Sequence, residues 1–135
     1  MIVNPASLDF IFSQSVMEHV NNIQAVYDAC NFWLKPGGLM SHRIDHSSHG
    51  ITHSWNGRYE ISDMLWNVIL GKRPYLLNRL TPDQHIYTIE SLGFEILSQS
   101  SFLRVMDDEK TIDVDSLPDD LFSVTTSTIL ARKLN

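Results

Sequence analysis

The sequence predicts a single α/β domain over residues 1–135, in which a parallel strand-helix-strand unit precedes further helices and an antiparallel pair of strands. The length is sufficient for one ordinary domain and too short for two. Apolar runs over 8–12 and 39–44 flank a segment of helical periodicity, which is long enough for the crossover that joins parallel strands. The last two strand-like segments follow one another in sequence, which favours an antiparallel pair.

The first three elements are separated by changes of periodicity. Leu8 to Phe12 form a short apolar run that ends in polar residues, which is typical of a buried strand. From Asn21, apolar residues recur every three or four positions behind an asparagine cap, and Pro36-Gly37-Gly38 stop this helical pattern. An extended pattern then resumes from Leu39 to Ile44.

Two further helices are predicted in the middle of the chain. The first covers 61–70, and its spacing places four apolar side chains on one packed side: Met64, Leu65, Val68 and Ile69. The second covers 82–92 and has the clearest boundaries. Thr81 is a cap residue, Pro82 suits the first helical position, and Gly93 suits the end of a helix.

The antiparallel strands are predicted over 94–97, with an extension to Val105, and over 122–131. The segment from Asp107 to Asp120, which lies between them, holds seven acidic residues and one base, Lys110. We expect it to be a solvated loop, with a docking site for a basic partner as the alternative.

Composition excludes several classes of protein. Asp and Glu total 16 against 10 Lys and Arg, and the net charge of -6 argues against a nucleic acid or an anionic membrane as partner. The single cysteine, Cys30, excludes a disulfide within the chain and lies on the apolar side of its helix, where we expect a core thiol. With neither a signal peptide nor a membrane span in the sequence, the expected location is cytoplasmic.

Several motifs point to a family. The segment from Leu8 to Val20 ends in Glu18-His19-Val20, and after a predicted helix the chain reads Leu34-Lys35-Pro36-Gly37-Gly38. These motifs resemble the second half of a class I S-adenosylmethionine-dependent methyltransferase of the Rossmann-like, type 11-like group. Asn78-Arg79-Leu80 and Leu92-Gly93-Phe94-Glu95 are also similar to bacterial members. The resemblance implies the fourth and fifth strands of the family's sheet, completed by an antiparallel pair.

The sequence departs from the family in one respect. None of its six glycines forms a Gly-x-Gly turn, which the family uses to hold the cofactor after its first strand. The chain therefore resembles a C-terminal half, whose first strand has an open edge. Open apolar edges favour pairing, so we expect self-association through Leu8 to Phe12 or assembly with a separate N-terminal half.

The resemblance implies S-adenosylmethionine as cofactor, with contacts just after the first strand from Ser13, Gln14, Ser15, Val16 and Glu18. The alternative for Glu18 is that it caps the following helix. Some quinone O-methyltransferases hold a divalent cation with a Glu-x-x-Glu-His sequence. Ser15 stands at the position of the first of those acids, so no metal site is predicted there.

Three residues are candidate bases: His19, Asp45 and His49. Methyl transfer chiefly requires alignment of the reactants, and a base only where the acceptor loses a proton. The stretch from Ile44 to His49 is similar to an Ile-Asp-x-x-x-His sequence at the substrate mouth of such enzymes. Strand alternation places His42 and Asp45 on opposite faces of the sheet, which argues against a metal site that uses both residues. Solvated histidines and a metal site remain the alternatives for this cluster.

The acceptor side is assigned to four residues: His46, Trp55, Asn78 and Arg79. Arg79 offers a planar donor group suited to an anionic or sugar-like acceptor. The alternative is that Asn78 and Arg79 anchor the loop before the helix at 82–92.

The leading hypothesis is thus a partial S-adenosylmethionine-dependent methyltransferase domain acting on an unidentified small molecule. The second is a catalytically inactive fragment or interaction subunit that dimerises through its exposed edge strand. A third is a small metal-binding hydrolase built on the histidines between His42 and His53.

Overall fold

The structure is a computed structural model that describes residues 3–73, 76–103 and 124–135. The predicted acidic loop from Asp107 to Asp120 lies outside the described residues, as do the predicted extension to Val105 and the start of the last strand at Phe122.

The described elements alternate between strands and helices. In chain order they are β1 (Leu8–Gln14), α1 (Ile23–Trp33), β2 (Leu34–Asp45), α2 (Asp63–Leu70), α3 (Pro82–Ser91), β3 (Phe94–Leu103) and β4 (Val124–Lys133). Short 3-10 turns cover Met17–His19 and Gly57–Tyr59.

Among the described residues the strands form one mixed sheet in the order β1-β2-β4-β3. β1 and β2 are parallel, whereas β4 is antiparallel to both β2 and β3. This order confirms the predicted α/β class, the parallel crossover unit and the antiparallel pair. It also leaves β1 at the edge of the sheet, with β2 as its one described strand neighbour.

β2 begins earlier than predicted. It starts at Leu34, directly after α1 ends, and continues past the predicted end to Asp45. Leu8 pairs with Leu34 and Phe10 with Leu39, so the intervening Lys35 to Gly38 bulge out of the register. The predicted helix stop is therefore an irregularity inside a strand.

One core joins α1, α3 and one face of the sheet. Its fully buried members include Tyr27, Met40, Ile44, Ile89 and Ala131. Cys30 is buried in this core, as predicted, and burial raises the pKa of its thiol to about 11. The boundaries of α3 agree with the local signals, since Gln84 Oε1 accepts the Thr81 N–H at 2.9 Å and Gly93 takes a left-handed φ of 80°.

The predicted packing of α2 was wrong. Met64, Leu65 and Val68 are 79%, 49% and 73% exposed, whereas Trp66 is buried. The helix begins at Asp63 after the cap residue Ser62, whose hydroxyl accepts the Leu65 N–H. The Trp66 indole packs against the guanidinium of Arg79, whose central carbon lies 5.4 Å from the ring centroid. The large indole is buried in preference to the aliphatic side chains on the other side of the helix.

Candidate functional site

The carboxyl ends of the parallel strands β1 and β2 meet at one edge of the sheet, where open α/β sheets bind ligands. Gln14 at the end of β1 pairs with Arg43, and the next residue, Ser15, donates its N–H to the Arg43 carbonyl at 2.9 Å. Ser15 has a left-handed φ of 52°, a conformation uncommon outside glycine, and it turns the chain from the strand into Met17–His19. Left-handed non-glycine residues cluster at functional sites.

The structure brings the three predicted bases together at this edge. His49 Nε2 lies 3.1 Å from Asp45 Oδ2, and the ring centroids of His19 and His49 are 5.3 Å apart in an edge arrangement. The Asp45 and His49 side chains are about one third exposed, so the pair can be reached from outside. His49 itself has a left-handed φ of 47°.

Asp45 is held as a carboxylate. Partial burial by itself raises the pKa of this group, but the hydrogen bonds from Ser47 and the interactions with His49 outweigh burial and lower the pKa. The Ser47 N–H donates to Asp45 Oδ1 at 2.8 Å, which leaves Oδ2 for His49. A carboxylate that orients an imidazole is the arrangement that prepares histidine as a base.

The residues predicted for the cofactor differ in exposure. Gln14, the last residue of β1, is exposed, and so are Ser15 and Val16 directly after it. Ser13 is half-buried, and its Oγ lies 2.8 Å from His42 Nδ1. Glu18 is fully buried, and neither carboxylate oxygen has a hydrogen-bond partner among the described residues. A buried carboxylate without a hydrogen-bond donor is costly.

The histidine-rich stretch divides between the surface and the interior. His42 lies on the helix-covered face, opposite Asp45, which confirms the predicted alternation. His46 was predicted to contact the acceptor, but it is 1% exposed and its Nε2 lies 2.8 Å from Ser127 Oγ. The strand pairing continues at this point, because the His46 N–H donates to the Thr125 carbonyl. His46 is therefore an interior residue whose ring lies against Ser127.

Sequence reasoning missed two members of this buried group. Tyr27 OH lies 2.9 Å from His85 Nδ1, and the His46 and His85 ring centroids are 6.1 Å apart. Burial lowers the pKa of His42 and of His46 to about 4 and that of His85 to about 3, which keeps the three imidazoles neutral near pH 7. Helical spacing places Tyr27 on the inner face of α1, but nothing local indicates its partner 58 residues later.

The remaining acceptor candidates make contacts within the chain. The Trp55 carbonyl accepts the Ser48 N–H at 2.6 Å, which closes the loop after β2. Arg79 pairs with Asp63 and donates to the Ile61 carbonyl, so it fastens its segment to the start of α2. The Asn78 amide donates to backbone carbonyls near His19.

Arg58 is a further buried residue that the sequence did not single out. It is fully buried, donating to the Ser47 carbonyl at 3.1 Å and to Tyr59 OH at 2.8 Å. Its charge adds to burial in lowering the pKa of His46 and of His85.

No group of three His, Cys, Asp or Glu side chains in the described part of the chain is arranged to hold a metal ion. None of the helices in those same residues has the length and apolar character needed to cross a membrane.

Comparison with known proteins identifies related folds. Residues 2–41 match the model of a methyltransferase domain family, and a search of curated proteins gave no match. An S-adenosylmethionine-dependent methyltransferase from Mesorhizobium loti aligns with a TM-score of 0.61 at 15% identity, covering 96% of this chain and 63% of that one. One from Archaeoglobus fulgidus aligns with a TM-score of 0.58 at 14% identity, covering 97% of this chain and 62% of that one.

A third solved structure carries ligands. It is a phosphoethanolamine N-methyltransferase from Haemonchus contortus, bound to phosphomonomethylethanolamine and S-adenosylhomocysteine, with a TM-score of 0.57 and 16% identity. The alignment covers 98% of this chain and 35% of that one. This chain spans about three fifths of the length of the first two enzymes. The comparisons confirm the predicted resemblance, since the fold is similar to the Rossmann-like fold of S-adenosylmethionine-dependent methyltransferases and residues 2–41, which cover β1, α1 and the first part of β2, match a methyltransferase domain model.

Proposed function

We propose that this chain is the C-terminal part of an S-adenosylmethionine-dependent methyltransferase that transfers a methyl group to a small molecule. The observation that carries the proposal is the meeting of His19, Asp45 and His49 at the carboxyl ends of two parallel strands. That edge is the ligand-binding edge of open α/β sheets, and the fold is the one that such enzymes share.

The cofactor would lie against the end of β1. Gln14, Ser15 and Val16 are exposed there, and the half-buried Ser13 lies next to them within the strand. Glu18 fits a ligand that brings hydrogen-bond donors, because both of its buried carboxylate oxygens lack one. When bound, S-adenosylmethionine supplies an electrophilic methyl group and needs no metal for its transfer.

A separate N-terminal half would add contacts to the methionine end of the cofactor. The sequence contains no Gly-x-Gly turn to cradle the methionine end of the cofactor. β1 offers the surface on which such a half would pair, because the described structure leaves its outer edge without a strand.

His49 would act as the base. Its Nε2–H donates to Asp45 Oδ2, which favours the tautomer whose Nδ1 is able to accept a proton. This Nδ1 would hold the proton that the acceptor nitrogen or oxygen loses on taking the methyl group, while the sulfur would keep the electron pair of the broken carbon–sulfur bond and S-adenosylhomocysteine would be the other product. His19 would contact the same acceptor from the β1 side, and Trp55 would lie on the loop that closes over it.

A second function is supported by the exposed edge strand. Phe10 and Phe12 are 51% and 73% exposed, and their rings stack at 5.9 Å between centroids. They line a shallow groove of about 340 Å³ together with Ser13, Gln14, Ser41 and Arg43. The chain would then be an interaction subunit without catalytic activity, which pairs with a second copy through β1.

Nuclear magnetic resonance tests the cofactor site. S-adenosylhomocysteine is added to the labelled 135-residue chain, and its amide shifts are followed. We expect the shifts to concentrate at residues 13–18 and to disappear in Val16→Asp. Val68→Asp is the matched control, because Val68 is exposed on α2. Shifts that survive Val16→Asp, or that Val68→Asp abolishes equally, would contradict the proposed site.

A further inference from the structure

Asn78 makes four hydrogen bonds that join two distant parts of the chain. Its side-chain Nδ2 donates to the Met17 carbonyl at 2.7 Å and to the Val20 carbonyl at 3.0 Å. Its backbone N–H donates to the Glu18 carbonyl at 2.6 Å. Its Oδ1 accepts the Leu80 N–H at 3.1 Å, so the hydrogen-bonding groups of the side chain are used inside the protein.

These bonds surround His19. The turn Met17–His19 is a single 3-10 turn, stabilised internally by the His19 N–H to the Val16 carbonyl at 3.0 Å and the Val20 N–H to the Met17 carbonyl at 3.3 Å. So short a turn has little stability of its own. Asn78 donates to three carbonyls of the four-residue stretch from Met17 to Val20, so it fixes the direction in which this stretch leaves β1.

The residues after Asn78 are fixed to the opposite side of the site. Arg79 donates to the Ile61 carbonyl at 2.5 Å and pairs with Asp63 at the start of α2. The Leu80 carbonyl accepts the Tyr59 hydroxyl at 3.4 Å. The segment from Asn78 to Leu80 therefore ties the His19 turn to the 59–63 region, which gives Asn78 a rigid base from which to hold the turn.

We propose that Asn78 is a positioning residue, which holds the Met17–His19 turn so that the His19 ring lies against His49. It would act through the backbone of the turn, in place of the acceptor contact that the sequence indicated. The geometric part of this inference stands on the hydrogen bonds alone, and its importance for methyl transfer rests on the proposed function.

The contact between the two rings is the appropriate measurement. With centroids 5.3 Å apart in an edge arrangement, their ring protons lie close enough for a nuclear Overhauser effect. Asn78→Ala removes the three side-chain bonds, and we expect the His19–His49 effect to fall below detection while the amide spectrum of the sheet is retained. Asn31→Ala is the matched control, because Asn31 Nδ2 donates to the Leu92 carbonyl at 2.6 Å, across 61 residues and away from the turn.

A second variant covers the case in which Asn78→Ala does not fold. Asn78→Ser retains one donor, and we expect it to weaken the His19–His49 effect relative to the unaltered chain. Wild-type intensity in the folded Asn78 variant, or an equal loss in Asn31→Ala, would overturn the positioning role. The measurement is made without cofactor. A failure to bind S-adenosylhomocysteine would therefore contradict the proposed function but would not affect the result on the His19–His49 contact.

Discussion

Three buried imidazoles link the stability of this fold to pH. His42, His46 and His85 lie in the interior with Tyr27, and one ring nitrogen of each lies within hydrogen-bond distance of a side-chain hydroxyl. The neighbouring Arg58 further disfavours a positive charge on His46 and His85. Protonation of any of these imidazoles places an unpaired charge in the core.

The free energy of unfolding should therefore fall as the pH is lowered below about 6.5. The folded pKa of His42 is about 4 against an ordinary value of 6.5, so the unfolded chain binds more protons between these values. The contribution of neutral His42 to the free energy of unfolding is present above pH 6.5 and is lost as the pH approaches 4. This loss amounts to up to about 3 kcal/mol for one such histidine. Urea unfolding at pH 7.5 and 5 measures it, and equal stability at both would contradict neutral burial.

The Tyr27 hydroxyl should contribute measurably to stability. Tyr27→Phe leaves His85 Nδ1 buried without its partner, which costs about 1–3 kcal/mol. Tyr87→Phe is the control, because Tyr87 is 75% exposed and its change should stay within about 0.5 kcal/mol. Chemical denaturation at pH 7.5 compares them, and similar values for both variants would exclude a structural role for the hydrogen bond.

Sequence reasoning succeeded at this scale where the information was local. Strand alternation placed His42 and Asp45 on opposite faces, and the structure agrees. The bond between Tyr27 and His85 could not be predicted, because it depends on how α1 and α3 meet across 58 residues. Asn78 was assigned to the acceptor side together with Arg79, whose planar donor group suggested that role, but the bonding partners of Asn78 are set by tertiary structure.

At the scale of elements, α3 and α2 show what decides a prediction. The limits of α3 are encoded by Thr81, Pro82 and Gly93 within the helix and its flanks. The orientation of α2 is not local, because apolar residues occur on more than one side and packing selects Trp66. The same distinction applies to β2, whose start at Leu34 depends on pairing with Leu8.

Substitutions in α2 test its orientation. Trp66→Ala should lower the free energy of unfolding by about 3–5 kcal/mol, because it removes a buried ring. Val68→Ala should change it by less than about 0.5 kcal/mol, because Val68 is 73% exposed. Denaturation midpoints of the two variants decide the matter. A larger loss of unfolding free energy in Val68→Ala than in Trp66→Ala would contradict this orientation and support the packing that the apolar spacing indicated.

At the scale of the whole molecule, the main feature is the position of β1 at the edge of the sheet, where one side of the strand has no partner strand among the described residues. In the described structure β1 pairs with β2 alone, and two phenylalanines are exposed on it. An edge of this kind tends to be covered by another chain or to pair with a copy of itself. The open edge was predicted from the family resemblance, because the sequence contains no Gly-x-Gly turn of the kind that follows the family's first strand.

The edge should govern assembly. Phe12→Lys places a charge on the strand and should shift the mass in solution towards the 15.5 kDa monomer. Tyr87→Lys is the control, since it adds the same charge on α3. Light scattering after gel filtration measures both. An assembly that Phe12→Lys leaves intact, or a wild-type chain that is already monomeric, would exclude pairing through β1.

The most direct test of the central claim is a calorimetric titration of S-adenosylhomocysteine into the purified chain, with its mass in solution measured alongside. The account predicts saturable binding with a dissociation constant in the micromolar range, about -8 kcal/mol at 1 µM, which Val16→Asp weakens. No saturable heat at millimolar ligand from a well-folded chain would contradict a cofactor site at the end of β1. That result would favour the interaction subunit.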